Sequence, residues 1–254
     1  MRTVTATHYL TPLREGGSVP AIVEADDEGT YVVKLRGAAQ GEKALIAEII
    51  CGEIARHLGL PVPELVLIEL DAALARTEPD QEIQELLRKS VGSYIALDYL
   101  PGSLGWEPAL APPPGAELAA RVVWFDAFVT NVDRTARNPN LLLWHKKLQL
   151  IDHGAALYFH HDWAEHMAKA RSPFSAIRQH VLLARAGDLR AADAELSVKL
   201  DEAALTAIVA LVPEAWLTND ASPAEVRRGY VEHLCARLSG PRDFVEEAIR
   251  AQRV

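Results

Sequence analysis

The apolar pattern of this chain changes its period at a proline-rich stretch, residues 111–115. Before that stretch, short β-branched runs predominate, as is typical of strands. After it, apolar residues recur mostly three or four positions apart, as on one face of a helix. Because a proline-rich stretch interrupts both helix and strand, it is the best candidate boundary between two lobes. The sequence therefore predicts an α+β protein with a sheet-rich N-terminal lobe, residues 1–110, and a mainly helical C-terminal lobe, residues 111–254.

The N-terminal lobe is predicted to contain strands around one long helix and one short acidic helix. Two of the strands form a hairpin, because the residues from Asp26 to Gly29 between them are turn formers. The long helix ends at Gly59, with prolines beyond it, which is a normal stop signal. The predicted strands are residues 19–25, 30–36, 64–70 and 93–99, and the predicted helices are residues 41–57 and 80–89.

The C-terminal lobe is predicted to contain one short hairpin among helices. Ser222, followed by Pro223 and by Glu225, has the pattern of a capped helix start. The predicted hairpin strands are residues 141–144 and 148–151, and the predicted helices are residues 117–129, 174–186, 189–200, 201–211, 222–238 and 241–253.

A polar loop follows the first helix of the C-terminal lobe. It reads Asn-x-Asp-Arg-x-x-x-Asn-x-Asn over residues 131–140, and the hairpin after it runs into Ile-Asp-His-Gly at residues 151–154. Phosphoryl transfer requires a carboxylate that orients the attacking hydroxyl, and an amide with a second carboxylate that hold Mg²⁺. Asp133, Asn138 and Asp152 supply these groups. Each is also a common turn residue, but the joint pattern favours phosphoryl transfer.

These two polar segments together resemble the catalytic and metal-binding loops of the HipA-like kinases and, more distantly, of the phosphatidylinositol-kinase-like branch of the protein-kinase fold. The resemblance covers most of the chain up to about residue 160. It implies a bilobal protein-kinase-like fold that uses ATP and Mg²⁺. It also implies that Asp133 is the catalytic residue and that Asn138 and Asp152 bind the metal. Arg134, beside the catalytic position, would either neutralise phosphate charge or brace the loop.

Lys34 lies within an apolar run, Tyr-Val-Val-Lys-Leu, where a lysine can also be an edge charge in solvent. Kinases place a phosphate-binding lysine in such a strand and pair it with a glutamate on the next helix. That helix offers Glu42, Glu48 and Glu53. Glu48 shares its face with small residues that allow close approach, and it precedes an Ala-x-x-Leu-Gly-Leu-Pro-like segment, as in the family. Lys34 is therefore predicted to pair with Glu48, with Glu42 as the second choice.

A glycine turn and a strand end complete the predicted nucleotide site. The Gly-Gly-Ser turn before the hairpin can close backbone N–H groups on phosphate oxygens, although it is also a common flexible turn. By the same resemblance, the last predicted strand of the N-terminal lobe leads into a hinge whose backbone meets adenine. The predicted nucleotide-binding residues are Gly16, Gly17, Ser18, Lys34, Asp98, Tyr99 and Leu100.

A group of histidines follows the second polar segment. A zinc site is conceivable here, because Asp162 and His166 are one helical turn apart. The sequence has no His-Glu-x-x-His pattern and no cysteine pair, however. The favoured interpretation is a solvated helix start, and the histidines concerned are His153, His160, His161 and His166.

Charge and cysteine content bear on partners and compartment. The chain has 26 Lys+Arg and 35 Asp+Glu, a formal charge of −9, which disfavours direct nucleic-acid binding because phosphate contacts need a basic stripe. Cys51 and Cys235 each lie in an apolar helical pattern, which predicts buried free thiols in a reducing compartment. No apolar run approaches the ~20 residues of a membrane span, and no signal-peptide pattern is found. A cytoplasmic protein is expected.

These features together predict an ATP-dependent phosphotransferase that moves the γ-phosphate onto a hydroxyl acceptor. A protein Ser/Thr is the expected acceptor, while a lipid head group, a sugar or another metabolite stays open. One alternative is a nucleotide-binding pseudokinase or scaffold. The other is a nucleotidyltransferase that binds ATP in the reversed orientation in the same cleft. The pattern specifies no oligomeric state.

Overall fold

The computed structural model of the chain describes residues 1–12, 20–34, 41–76, 78–218 and 221–253. Its secondary structure is a mixture of strands and helices, with short 3₁₀ turns between them. The strands are β1 (Arg2–Pro12), β2 (Pro20–Ala25), β3 (Thr30–Lys34), β4 (Leu65–Leu70), β5 (Gly92–Asp98), β6 (Leu104–Gly105), β7 (Leu141–Trp144) and β8 (Lys147–Leu150). The α-helices are α1 (Glu42–His57), α2 (Gln81–Lys89), α3 (Ala116–Phe128), α4 (His166–Lys169), α5 (Leu189–Leu196), α6 (Glu202–Val209), α7 (Pro223–Leu238) and α8 (Asp243–Gln252).

The chain divides into two compact units. The first comprises Met1–Gly41 and Pro63–Gly102, and the second comprises Glu42–Val62 and Ser103–Val254. The long helix α1 belongs to the second unit, whereas the sequence-based division at residue 110 places it with the strands. Hydrogen bonds at both ends of α1 reflect this: Glu42 accepts from the Thr218 hydroxyl at 2.6 Å, and a ring nitrogen of His57 bonds the Lys199 carbonyl at 2.9 Å.

The first unit is a closed barrel with the strand order β1-β2-β3-β5-β4. Its pairs are antiparallel except for β1 with β4, which are parallel. Strand β1 is not predicted from the sequence, because it is rich in threonine and lacks a long apolar run; of its residues, Val4 and Ala6 are buried. The hairpin β2–β3 is confirmed. In its turn, Asp27 accepts hydrogen bonds from the Tyr31 hydroxyl at 2.7 Å and from the Gly29 N–H at 3.0 Å.

Alternate residues of the strands fill the barrel interior, as the two-residue period of a strand requires. Helix α2 packs on this core through Leu87 and is capped by Asp80, which accepts from the first backbone N–H groups of the helix. The core residues contributed by β2 to β5 include Val23, Tyr31, Val33, Val66, Ile68 and Ala96.

Helix α3 is buried along most of its length in the second unit. It is apolar nearly all round, which is the pattern of a central helix. The buried Arg237 of α7 satisfies its C-terminal end, because the guanidinium donates to the carbonyls of Ala127 at 2.8 Å and Phe128 at 2.7 Å. Burial lowers the pKa of Arg237 to about 10. These hydrogen bonds hold the C-terminal end of α3, from which the next loop begins, against α7.

The helix predicted over residues 174–186 is wrong. The structure has two 3₁₀ turns, Ser175–Gln179 and Leu183–Arg185, separated by an extended residue, His180. The helix does not continue through His180 because the backbone there is extended and forms a bridge with Thr135, and because the Leu182 N–H donates to His180 Nδ1 and not to a helix carbonyl. Helix α5 ends at Leu196, earlier than the predicted residue 200.

The remaining predicted elements are confirmed, with small differences at their ends. The start of α7 is one of them: Ser222 accepts from the Glu225 N–H while the Glu225 carboxylate accepts from the Ser222 N–H, a complete capping box. Residue 19 and residues 35–36 of the predicted hairpin lie outside the described residues.

Candidate active site

Asp133 is held among three asparagines in the loop that follows α3. Its Oδ2 accepts hydrogen bonds from Asn138 Nδ2 at 2.8 Å and from Asn140 Nδ2 at 3.2 Å. Its backbone N–H donates to Asn131 Oδ1 at 3.1 Å. The structure therefore brings Asp133 and Asn138 together and adds Asn140, for which the sequence analysis assigned no role. Since Asn138 uses its amide nitrogen on Asp133, its amide oxygen is the atom that remains for a cation.

A fully buried carboxylate, Asp126, anchors this loop. Its Oδ1 accepts from Asn131 Nδ2 at 2.9 Å. Its Oδ2 accepts from Arg134 Nε at 2.7 Å and from His180 Nε2 at 2.9 Å. Burial by itself raises the pKa of a carboxyl, but the Arg134 charge and the His180 hydrogen bond outweigh it and hold the pKa of Asp126 well below its usual range. Asp126 is therefore a charged, fully compensated buried group.

Arg134 has the contacts of a brace. Its side chain is fully buried, and Nη1 donates to the Asn140 carbonyl and, at 3.3 Å, to the Ile151 carbonyl. These carbonyls belong to the two ends of the β7–β8 hairpin. Of the two roles that the sequence left open for Arg134, its geometry supports bracing the loop.

Asp152 lies just beyond β8. The Ile151 N–H donates to the Asn140 carbonyl at 3.1 Å, so Asp152 leaves the hairpin beside the loop that carries Asp133. Its φ of 56° is left-handed, which is uncommon for a residue other than glycine and recurs at functional sites.

Glu48 contacts the same segment from α1. Its Oε2 accepts the His153 N–H at 2.8 Å, and its Oε1 lies 3.5 Å from His153 Nδ1. Glu48 is 4% exposed and His153 is 0% exposed. At Gly154, a Cβ atom would lie 3.5 Å from the Ala44 Cβ, so α1 runs close along this segment. Helix α1 and the residue next to Asp152 are thus joined directly.

The predicted nucleotide residues of the first unit are placed as follows. Lys34 ends β3, opposite Pro20 of β2, and its pairing with Glu48 stays a prediction. Asp98 ends β5, and the two residues after it, Tyr99 and Leu100, leave the barrel. The turn at Gly16, Gly17 and Ser18 lies outside the described residues.

A cavity of about 550 Å³ opens beside the end of β5. The N–H groups of Asp98 and Tyr99 donate to the Glu64 and Thr30 carbonyls, both at 2.9 Å. Burial, together with the nearby Glu64 charge, raises the pKa of Asp98. The cavity is open to solvent, and apolar and polar groups both line it. The lining residues are Leu10, Thr11, Ile22, Thr30, Asp98, Tyr99 and Pro101.

The interpretation as a solvated helix start is wrong for two of the four histidines, whereas His161 is exposed and His166 begins α4. His153 and His160 are both fully buried. His160 Nδ1 lies 3.1 Å from the Tyr230 hydroxyl oxygen, and burial lowers the pKa of His160 to about 3. In the part of the chain that the structure describes, no group of three or more His, Cys, Asp or Glu side chains could hold a metal ion.

Both cysteines are free thiols, as predicted. Cys51 is buried, and burial raises the pKa of its thiol well above the usual value. Cys235 is only half-buried, so the prediction of a buried side chain is wrong for it.

Like Asn140, Asp126 and His180 contribute to this region although no function was assigned to them from the sequence. Asp126 carries a signal: it is a lone carboxylate in the apolar run Val-Val-Trp-Phe-Asp-Ala-Phe-Val, and a buried charge needs a partner. His180 carries none, because its contact with Asp126 spans 54 positions of the chain.

The α+β architecture and the Asp133 loop are those expected of a kinase-type phosphotransferase. A family model described as HipA-like kinase matches residues 7–244, and the chain belongs to the HipA-like kinase family. Its structure is similar to the crystal structure of the proinflammatory kinase CtkA of Helicobacter pylori, with a TM-score of 0.58 and 12% sequence identity. The match covers 99% of this chain and 98% of that one, and at this identity it shows the fold alone.

No curated protein matches the sequence. Among the described residues, no helix is both long enough and apolar enough to cross a membrane.

Proposed function

We propose that this chain transfers the γ-phosphate of ATP to a hydroxyl acceptor in a Mg²⁺-dependent reaction. The observation that carries the proposal is the hydrogen bond between Asn138 and Asp133, in a loop anchored by the buried Asp126–Arg134 pair. Phosphoryl transfer depends almost entirely on positioning and charge stabilisation. The Asp133 carboxylate meets the requirement for positioning, because its loop is held by several hydrogen bonds.

The proposed roles in the second unit follow from the chemistry of each side chain. Asp133 orients the acceptor hydroxyl and takes its proton. The amide oxygen of Asn138 and the carboxylate of Asp152 hold Mg²⁺, which neutralises charge on the phosphates when bound. Mg²⁺ favours oxygen ligands and is usually held by one or two carboxylates together with substrate phosphates, so this donor set fits it.

The proposed nucleotide contacts follow the family pattern. Lys34 binds the α- and β-phosphates and is positioned by Glu48, while Gly16, Gly17 and Ser18 close over the phosphates. The cavity beside Asp98 and Tyr99 supports an adenine site at the end of β5. Because the N–H groups of those two residues donate within the first unit, Leu100 supplies the N–H that adenine meets.

The proposed acceptor is a Ser or Thr side chain of a protein. The net charge of −9 disfavours nucleic acids and anionic membranes as unaided partners. The buried free thiol of Cys51 is consistent with a reducing compartment such as the cytoplasm.

Incubation with γ-labelled ATP and Mg²⁺, followed by mass spectrometry, tests this proposal against its alternatives. The acceptors offered are a cell lysate and a panel of metabolites. Phosphate added to an acceptor by the wild type, and not by Asp133→Asn, supports the kinase. An added nucleotide instead identifies a nucleotidyltransferase. Mg²⁺-dependent ATP binding without any product identifies a pseudokinase or scaffold.

A further inference from the structure

We propose that His180 is a positioning residue for phosphoryl transfer, which ties the segment around residues 175–186 to the loop that carries Asp133. This inference rests on the proposed function, since it concerns the rate of that reaction.

The two ring nitrogens of His180 have partners of opposite kind. Nε2 lies 2.9 Å from Asp126 Oδ2, which only accepts, so Nε2 carries a proton. Nδ1 lies 3.1 Å from the Leu182 N–H, which only donates, so Nδ1 carries none. The residue is 7% exposed. The two bonds together select one neutral tautomer and one orientation of the ring.

The backbone joins the same two segments at a second point. His180 forms an isolated antiparallel bridge with Thr135. The Val181 N–H donates to the Arg134 carbonyl at 3.1 Å. The chain at His180 therefore lies against the loop between Asp133 and Asn138.

A continuous series of hydrogen bonds leads from the His180 ring to the Asp133 carboxylate. Asp126 Oδ2 accepts from both His180 and Arg134. Arg134 donates to the Asn140 carbonyl, and the Asn140 side chain donates to Asp133 Oδ2. Without the His180 donor, a fully buried carboxylate oxygen loses one of its two partners, which is costly unless the remaining groups shift.

A shift of these groups would displace the Asp133 carboxylate and so slow the chemical step. A misplacement of the reacting groups by about 1 Å, even when a substitution far from them causes it, can cost about 10²-fold in rate. The adenine and phosphate contacts are assigned to residues of the first unit, and the series of hydrogen bonds ends at Asp133 and not at the proposed Mg²⁺ ligand Asn138. Loss of the His180–Asp126 bond is therefore expected to lower kcat and to leave the KM for ATP nearly unchanged.

Two substitutions at His180 separate its two hydrogen bonds. In His180→Gln, the amide nitrogen takes the position of Nε2 and keeps the bond to Asp126. In His180→Asn, the amide oxygen takes the position of Nδ1 and keeps the bond to Leu182. The assay follows γ-labelled Mg-ATP, counting transferred and hydrolysed phosphate together, and the melting temperature of each variant is measured alongside.

His180→Gln is expected to keep kcat within about threefold of wild type, while His180→Asn loses about thirtyfold or more, and the KM for ATP stays within about twofold in both. His57→Gln makes the same change of side chain at an exposed histidine that bonds the Lys199 carbonyl at the end of α1, and this control should behave as wild type. If His180→Asn does not fold, His180→Met, which fills a similar volume and donates nothing, replaces it.

A purely structural histidine would lower the melting temperature of the variants without separating their kcat values. Equal kcat in the glutamine and asparagine variants, whether high or low, overturns the inference while leaving the proposed function standing. If the wild type turns over no ATP, the proposed function itself fails, and the role of His180 in catalysis fails with it.

Discussion

The Glu48 carboxylate of α1 accepts a hydrogen bond from the His153 N–H at 2.8 Å, one residue beyond Asp152. Both side chains are buried, so the contact is shielded from solvent. A displacement of α1 would therefore move the backbone next to Asp152, which is proposed to hold Mg²⁺. In this family, the same carboxylate is expected to position Lys34.

Glu48→Gln is expected to lower transfer at least about tenfold, because it removes a buried negative charge and weakens a charge-assisted hydrogen bond. Glu42→Gln and Glu53→Gln are the controls on the same helix. Glu42 bonds the exposed Thr218 and Glu53 pairs with Arg56, so both should stay near wild type. Steady-state rates with γ-labelled ATP give the comparison, and equal effects of all three would show that the wrong glutamate was chosen.

Lys34→Met is expected to weaken both ATP binding and transfer, since loss of a charged phosphate contact costs roughly 1.5–3 kcal/mol. A tenfold change corresponds to about 1.4 kcal/mol. The KM for ATP and kcat are measured together. Activity within about twofold of wild type would show that Lys34 does not contact the ATP phosphates.

Asp133→Asn and Asp152→Asn are expected to fail in different ways. Saturating Mg-ATP at about a hundredfold excess over Kd stabilises the native state by about 2.7 kcal/mol, which amounts to several degrees in Tm for a chain of this size. Asp133→Asn should keep most of this shift and lose transfer, because its role involves only the acceptor. Asp152→Asn should lose much of the Mg²⁺-dependent shift as well. Thermal melts with and without Mg²⁺ separate the two, and identical behaviour would contradict the assigned roles.

Acid stability is expected to depend on Asp126. Its pKa is depressed in the folded state, so its contribution is complete above the unfolded pKa of about 3.9 and is lost as the pH falls further, toward the folded pKa. Asp126→Asn should unfold more easily at pH 7, by about 3–5 kcal/mol, because Arg134 stays buried without its partner. Urea unfolding measured at pH 7 and below pH 4 should show a weaker acid dependence in the variant.

The double variant Asp126→Asn with Arg134→Met provides the control for that experiment. It removes both charges and should recover part of the stability that the single variant loses. If the free energy of unfolding falls equally with pH in wild type and Asp126→Asn, then other carboxyl groups cause the loss of stability in acid.

Arg237→Met is expected to destabilise the chain by about 3 kcal/mol or more, because it leaves several buried carbonyls without a donor. Those carbonyls include Ala127 and Phe128 at the end of α3. Arg228→Met on the same helix is the matched control. Arg228 is exposed and pairs with Glu232 at 3.7 Å, and its substitution should change stability by about 0.5 kcal/mol or less. Urea unfolding of both variants measures the difference.

Short-range patterns predicted most of the secondary structure. The hairpin β2–β3 and the capped start of α7 depend on neighbouring residues, and local turn and cap chemistry is readable in a sequence. Strand β1 was missed because its threonine-rich pattern is weak, and its place in the barrel comes from pairing with the distant β4. The helix predicted over residues 174–186 failed because a long-range hydrogen bond at His180 outweighed local propensity.

The sequence by itself predicted the set of Asp133, Asn138 and Asp152, since two short polar segments between apolar elements carry these residues. Only the tertiary structure decided what holds that set in place. The loop that carries Asp133 is held by the hydrogen bonds that Arg134 and His180 donate to the buried Asp126 carboxylate. The physical reason is burial: a charge or an imidazole removed from water must find its partner wherever the fold supplies one, and those partners are far apart in the chain.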